Sequence, residues 1–211
     1  YDSGTNQLGS VYMELILIRH GLPLRVEAED GSPADPPLSD IGHQQARLVA
    51  DWLEDTEIDF LYSSPMQRAH QTAVPLAESK GLEVELREGV AEYDRHADHY
   101  IPVEELKKFD YDRWLRLMRG EIDNIDFPKF CEGVVATLDE IIATHPGKTV
   151  AVTCHGGVIN VWTCHLLGME PRLFFNADYT SISRYRAASS GVKSIVTLNE
   201  HSHLKLLPKE A

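Results

Sequence analysis

Residues 15–23 read LILIRHGLP: four apolar residues run directly into Arg19, His20 and Gly21. A short, uninterrupted apolar run of this kind is the pattern of a strand buried on both faces. Its end delivers an arginine and a histidine to the same place. Residues 149–157, TVAVTCHGG, repeat that grammar, with His155, Gly156 and Gly157 just past a second apolar strand. In open α/β sheets ligands bind beyond the carboxyl ends of the strands, where helix N-termini also offer free N–H groups. If the two strands are neighbours, His20 and His155 face one another across that crevice.

Outward from these strands, helical and extended patterns alternate. Ser39 is a helix N-cap before DIGHQQARLVADWLED, in which Ile41, Ala46, Leu48, Val49, Trp52 and Leu53 follow helical spacing. A short strand is expected at 58–64 and a helix at 65–80, with Pro75 a candidate kink and Gly81 its stop. LEVEL at 82–86 alternates as a strand, an amphipathic helix covers 127–145, and two late strands near 181–187 and 193–199 read as a hairpin. Residues 22–38 form a long loop rich in Pro, Asp and Gly. Residues 93–125 are charged and aromatic, an insertion expected to lie over the C-terminal strand edge as a helical cap. The fold class that follows is a three-layer α/β/α sandwich around a mostly parallel central sheet. Residues 1–12, polar and glycine-rich, read as a disordered extension or expression remnant, and 13–211 as a single domain.

The chain has 211 residues, 43% of them hydrophobic and 25% charged, which suits one domain with a real core. Its formal net charge of −13 repels nucleic acid and anionic lipid, so no partner of either kind is expected. An anionic substrate must instead be captured by specific residues. No apolar run approaches ~20 residues and no signal peptide is recognisable. Cys131, Cys154 and Cys164 are an odd count without a CxxC pair, read as reduced thiols in a cytoplasmic protein. Cys154, His155, Cys164 and His165 are too spread along a strand end and a helix to converge on one ion. His96 and His99 read as rim residues and His201 and His203 as surface residues, so no metal site is expected.

Two further segments contribute charge to the same rim. Arg68 falls in the first turn of the 65–80 helix, where a cation opposes the helix dipole and local stability does not explain it. A bound anion does. Glu92 follows the 82–86 strand, with Glu85, Glu88 and Asp94 as rival carboxylates. Two arginines, two histidines, glycines at helix starts and a carboxylate form a coherent site for phosphoryl transfer. The arginines bind phosphate oxygens, one neutral imidazole attacks phosphorus, a cationic one stabilises the equatorial charge, and a carboxyl protonates the leaving oxygen. That scheme requires no metal or cofactor.

These segments resemble the histidine phosphatase superfamily, also called phosphoglycerate-mutase-like. ILIRHG looks like its signature, LSDIGHQQA (38–46) like the helix start that follows, and SSPMQRAHQTA (63–73) like the segment of its second phosphate-binding arginine. GLEVELREGVAEYD (81–94) aligns with the segment of its acid and VTCHGGVIN (152–160) with its second histidine. The resemblance implies that His20 becomes the phosphohistidine, that Arg19, Arg68 and His155 hold the phosphoryl group, and that Glu92 is proton donor and then base. Gly21 and the Gly156 N–H would add phosphate contacts. Many members follow RHG with Glu or Gln, Thr and, a few residues on, a phosphate-binding Asn; here Val26 stands near the Asn position, with Arg25 as a neighbouring cation. The Glu-Arg-Tyr segment by which cofactor-dependent mutases recognise phosphoglycerate has no match. A phosphatase on a small phosphorylated metabolite is therefore favoured over a mutase or a phospho-ligand-binding module with little turnover. A homodimer is left open.

Overall fold

β1 (Tyr12–Arg19) occupies the interior of a six-stranded sheet, and its side chains alternate between two cores. Leu15 and Leu17 join one buried cluster, Ile16 and Ile18 the other, and none of the four exceeds 1% exposure. Burial of such side chains stabilises by ~1.5–3 kcal/mol each, which anchors the strand firmly before its last residue leaves the core. The molecule is described here by a computed structural model covering residues 12–27, 32–100, 106–108, 110–119, 121 and 126–206. Of the extension expected at 1–12, residues 1–11 lie outside the described residues, whereas Tyr12 belongs to the fold as the first residue of β1.

The remaining strands are β2 (Val26–Glu27), β3 (Phe60–Ser63), β4 (Val84–Leu86), β5 (His99–Tyr100), β6 (Thr149–Cys154), β7 (Ile182–Ala188) and β8 (Lys193–Glu200). The main sheet has the order β4-β3-β6-β1-β7-β8. β4, β3, β6 and β1 are mutually parallel, while β7 runs antiparallel to β1 and β8 antiparallel to β7. The late hairpin is as read, and Gly191 at φ 86 lies between its strands.

On one face, α1 (Asp40–Trp52) and α2 (Gln67–Lys80) cover Ile16, Ile18, Leu61 and Ala151 with Val49, Ala50, Leu53, Ala73 and Leu76. On the other, α4 (Phe127–Thr144) and α5 (Gly156–Leu167) pack Val134, Leu138, Val158 and Trp162 against Leu15, Leu17, Val150 and Val152. Ser39 caps α1 as expected, its Oγ accepting from the Gly42 N–H at 3.1 Å. Gly81 ends α2 in the left-handed conformation at φ 65, and the helix runs through Pro75. Of the insertion, α3 (Tyr111–Met118) is described, while 101–105, 109, 120 and 122–125 lie outside the described residues.

Three features depart from the sequence reading. Trp52 is 47% exposed rather than in the core, because Leu53, one residue on, takes the inward position; the indole lies 6.1 Å from the His203 ring. His203 is accordingly buried, not a surface residue, held by a 3-10 turn (Ser202–Leu206) with Nε2 3.3 Å from Thr180 Oγ1. The 22–38 loop and the insertion also pair directly, as β2 and β5, through Val26–Tyr100 and Glu27–His99.

Candidate active site

β1 and β6 are parallel and in register, with Arg19 opposite Cys154, so His20 and His155 sit at equivalent positions past the two strand ends. Their rings are 5.1 Å apart at 57°. The His20 N–H donates to Cys154 O at 2.9 Å, and its carbonyl accepts from Thr180 N–H at 3.2 Å, so its backbone is clamped on both sides. Thr180 reaches that contact at φ 58, uncommon for a β-branched residue.

His20 Nδ1 lies 2.8 Å from Gly21 O. A carbonyl only accepts, so Nδ1 carries the proton and Nε2 keeps its lone pair. Burial, then the charges of Arg68 and Arg19, hold His20 well below the ordinary imidazole range, which keeps it neutral. His155 Nε2 lies 2.8 Å from Ser64 Oγ, which also accepts from Met66 N–H at 3.2 Å. The Ser64 hydroxyl can give its own proton to Nε2, and in that tautomer Nδ1 is the protonated nitrogen. Nδ1 is buried without a hydrogen-bond partner among the described residues. Burial first, then Arg68, His20 and Arg19, depress the His155 pKa, which disfavours the cationic imidazole expected from the sequence.

Arg68 is 0% exposed. Its Nη2 meets Asp94 Oδ1 at 3.0 Å, and its guanidinium carbon sits 4.6 Å from the Tyr100 ring centroid. Its Nε and Nη1 are buried with no partner among the described residues. Arg19 stacks 4.1 Å over the Tyr179 ring, and its Nη1 donates to Ala177 O. Buried guanidinium and imidazole N–H groups lacking protein acceptors carry a large desolvation penalty that a bound oxyanion offsets.

Glu92 is buried beside them. Oε2 accepts from Gly157 N–H at 2.8 Å and Oε1 from Tyr93 N–H at 3.2 Å. Burial first, then the Asp94 charge, raise its pKa to about 7 against those two bonds. A β-carbon on Gly157 would fall on Glu92 Oε1 and within 2.9 Å of its Cδ. Gly157→Ala is therefore expected to displace the carboxyl and lower kcat about tenfold or more on an alkyl phosphate, with KM moved far less. Steady-state kinetics on the folded variant check this.

Arg19, His20, Arg68, Glu92 and Gly156 line a cavity of about 680 Å³, whereas His155, wholly buried beside His20, is not among its lining residues. Among its described lining residues four cationic side chains stand against two carboxyls, a positive balance within a chain of net charge −13. Gly21 and Arg25 are not brought to it. Gly21 donates its N–H to Thr72 Oγ1 at 2.9 Å, and its lack of a side chain serves the close approach to α1, since a β-carbon would lie 2.7 Å from Gly42 O. Arg25 is exposed on the loop. The sequence reading named Gly157 only as a glycine at a helix start, and did not single out Ser64, Tyr179 or the pairing of Asp94 with Arg68, although Ser64 lies within the quoted SSPMQRAHQTA. Among the described residues no group of three His, Cys, Asp or Glu side chains is placed to hold a metal ion.

A covered, mostly parallel α/β sheet with two buried imidazoles and two buried guanidiniums at its carboxyl edge has the architecture of a phosphoryl-transfer enzyme. Residues 15–201 match the histidine phosphatase superfamily (branch 1). Phosphoserine phosphatase 1 of Hydrogenobacter thermophilus is 30% identical over 191 residues, covering 81% of this chain and 86% of that protein. A mutant phosphoserine phosphatase from Entamoeba histolytica, solved in complex with phosphoserine, is 26% identical with a TM-score of 0.70, over 91% of this chain and 99% of that one. A mycobacterial glucosyl-3-phosphoglycerate phosphatase, 19% identical with a TM-score of 0.70 over 90% of this chain and 100% of that one, shares the fold. The chain belongs to the histidine phosphatase superfamily and is an enzyme of the phosphatase class, a phosphoric monoester hydrolase. No helix among the described residues is long and apolar enough to cross a membrane.

Proposed function

We propose that this chain hydrolyses small phosphorylated metabolites through a phosphohistidine at His20. The observation that carries the reading is the Nδ1–Gly21 bond in a buried, cationic pocket, which leaves a neutral Nε2 as nucleophile. Nε2 attacks phosphorus as the bond to the alcohol oxygen breaks, and Glu92, protonated near neutral pH, gives that oxygen its proton. Arg19, Arg68 and the His155 Nδ1–H receive the equatorial oxygens, with Ser64 holding the His155 tautomer and Asp94 the plane of Arg68. The Glu92 carboxylate then takes a proton from water, whose oxygen attacks phosphorus. The P–N bond breaks, inorganic phosphate departs, and Glu92 is again protonated. Arg25 and Gly21 have no part in this scheme.

The named relatives make phosphoserine the first ester to assay. Every group in the scheme comes from one chain, so it holds for a monomer or a homodimer. Three free, buried cysteines suit a reducing compartment such as the cytoplasm. Incubation with a ³²P-labelled ester in chelator is expected to give base-stable, acid-labile label on the enzyme and then labelled inorganic phosphate. Label recovered in an isomeric ester would make the enzyme a mutase. Tight vanadate binding without turnover on a broad panel would make it a phospho-ligand-binding module.

A further inference from the structure

The reaction above occupies only one wall of the cavity, and the rest of its lining has different chemistry. Trp114 and Met118 come from α3, Leu173, Phe174 and Phe175 from the segment after α5, and Tyr93 from beside Glu92. Leu106 and Leu173 form a small buried cluster against which Tyr93, Trp114 and Met118 pack, so this wall ties the insertion to the rim. Two cations stand with it. Lys107 Nζ lies 4.6 Å over the Trp114 ring, and Arg172 is exposed at the mouth. The two carboxyls among the described lining residues are already engaged, Glu92 by two backbone N–H groups and Asp94 by Arg68. The volume, about 680 Å³, falls among sites that bury ligands of roughly 300–1,000 Å³, well beyond what phosphoserine requires.

We propose that the leaving alcohol has an apolar or aromatic body and carries an anionic group at its far end, a carboxylate or a second phosphate. The apolar body lies along Trp114, Leu173 and Phe174, where transfer out of water is favourable. The distal anion meets Lys107, which the indole face already holds in place, and Arg172. A distal ammonium finds cations and no uncommitted carboxylate among the described lining residues. This inference rests on the phosphatase reading and names the substrate class of the same site.

The test is a series of 2-phenylethyl phosphates bearing a para carboxylate, phosphonate, hydrogen or aminomethyl group, with phosphoserine and p-nitrophenyl phosphate alongside. The two-carbon spacer insulates the leaving oxygen, so differences in kcat/KM report binding rather than leaving-group basicity. The anionic esters are expected to exceed the aminomethyl ester by about tenfold or more, and phosphoserine to fall below the unsubstituted ester. The larger of the carboxylate and phosphonate values identifies which anion the rim takes. Trp114→Ala is expected to lower the whole phenylethyl series about tenfold, and combined Lys107→Ala and Arg172→Ala to bring the anion-to-ammonium ratio within twofold. Equal values across the charge series, or phosphoserine above the unsubstituted ester, would overturn the proposal while p-nitrophenyl phosphate turnover kept the phosphatase reading intact. No turnover on any ester would overturn both.

Discussion

Replacing His20 with alanine is expected to lower kcat at least about 10⁴-fold on every phosphomonoester, the scale seen when a covalent nucleophile is removed. The variant retains Arg19, Arg68 and the His155 N–H, so phosphate and vanadate are expected to bind within about tenfold of wild type. This split between turnover and binding distinguishes loss of a nucleophile from collapse of the pocket. His20 makes its side-chain bond to its own neighbour, Gly21, and both of its flanking strands are held by backbone pairing, so the fold should survive. A thermal melt verifies that. The acid-labile label should disappear with the side chain. Near-normal turnover, or label persisting in the variant, would move the nucleophile elsewhere, and His155 would be the first place to look. In wild type, depression of the His20 pKa by burial and two guanidiniums keeps it neutral into mildly acidic solution. Activity should therefore not fall through pH 6.5, where an ordinary histidine would take up a proton.

What was legible in the sequence was whatever one segment could state alone. Leu15 to Ile18 and Val150 to Val152 are apolar because both faces of their strands are covered, and two such strands ending in histidines implied the crevice. Ser39 and Gly81 announced their caps through local backbone chemistry. What was not legible depends on contacts between distant segments. Glu92 and Gly157 are 65 residues apart, and only the fold shows that the Gly157 N–H points at a carboxylate rather than at a ligand. Arg68 and Asp94 are 26 apart, and in the sequence Asp94 was merely a rival of Glu92. The environment of His155 was hidden for the same reason: an isolated imidazole says nothing of its burial or of the Arg68 beside it, both of which depress its pKa. Trp52 and His203 show the limit of periodicity, since Trp52 stays largely exposed beside a terminal turn that buries His203.

Glu92→Gln is expected to lower kcat by about 10²–10⁴-fold on alkyl phosphates, because the amide keeps the Gly157 contact but has no acidic proton for the alkoxide. With p-nitrophenyl phosphate the leaving group departs without that proton. The first step should then survive, while the second, which needs the carboxylate as base, stalls. A burst of nitrophenol and accumulated phosphoenzyme are the signature. The pH dependence follows from the same group. Glu92 is raised from 4.5 to about 7, so kcat/KM for alkyl esters should decline above that pH, tenfold per unit, and the decline should be absent in the variant. Stability carries a matching signal. Between pH 4.5 and 7 the folded chain holds a proton on Glu92 that the unfolded chain has lost, so this group's contribution is full below 4.5 and lost as pH rises through 7. His20 and His155 act oppositely: their depressed values cost stability as pH falls below 6.5. Together the three place the maximum near neutral pH, roughly pH 7. Glu92→Gln removes only the falling limb, so its melting temperature relative to wild type should rise between pH 5 and pH 8. If that difference stays flat, Glu92 ionises in the ordinary carboxylate range and is a carboxylate at neutral pH. It could then serve as the base for water but not as the acid for the alcohol, and the proton donor would have to be sought at Asp94.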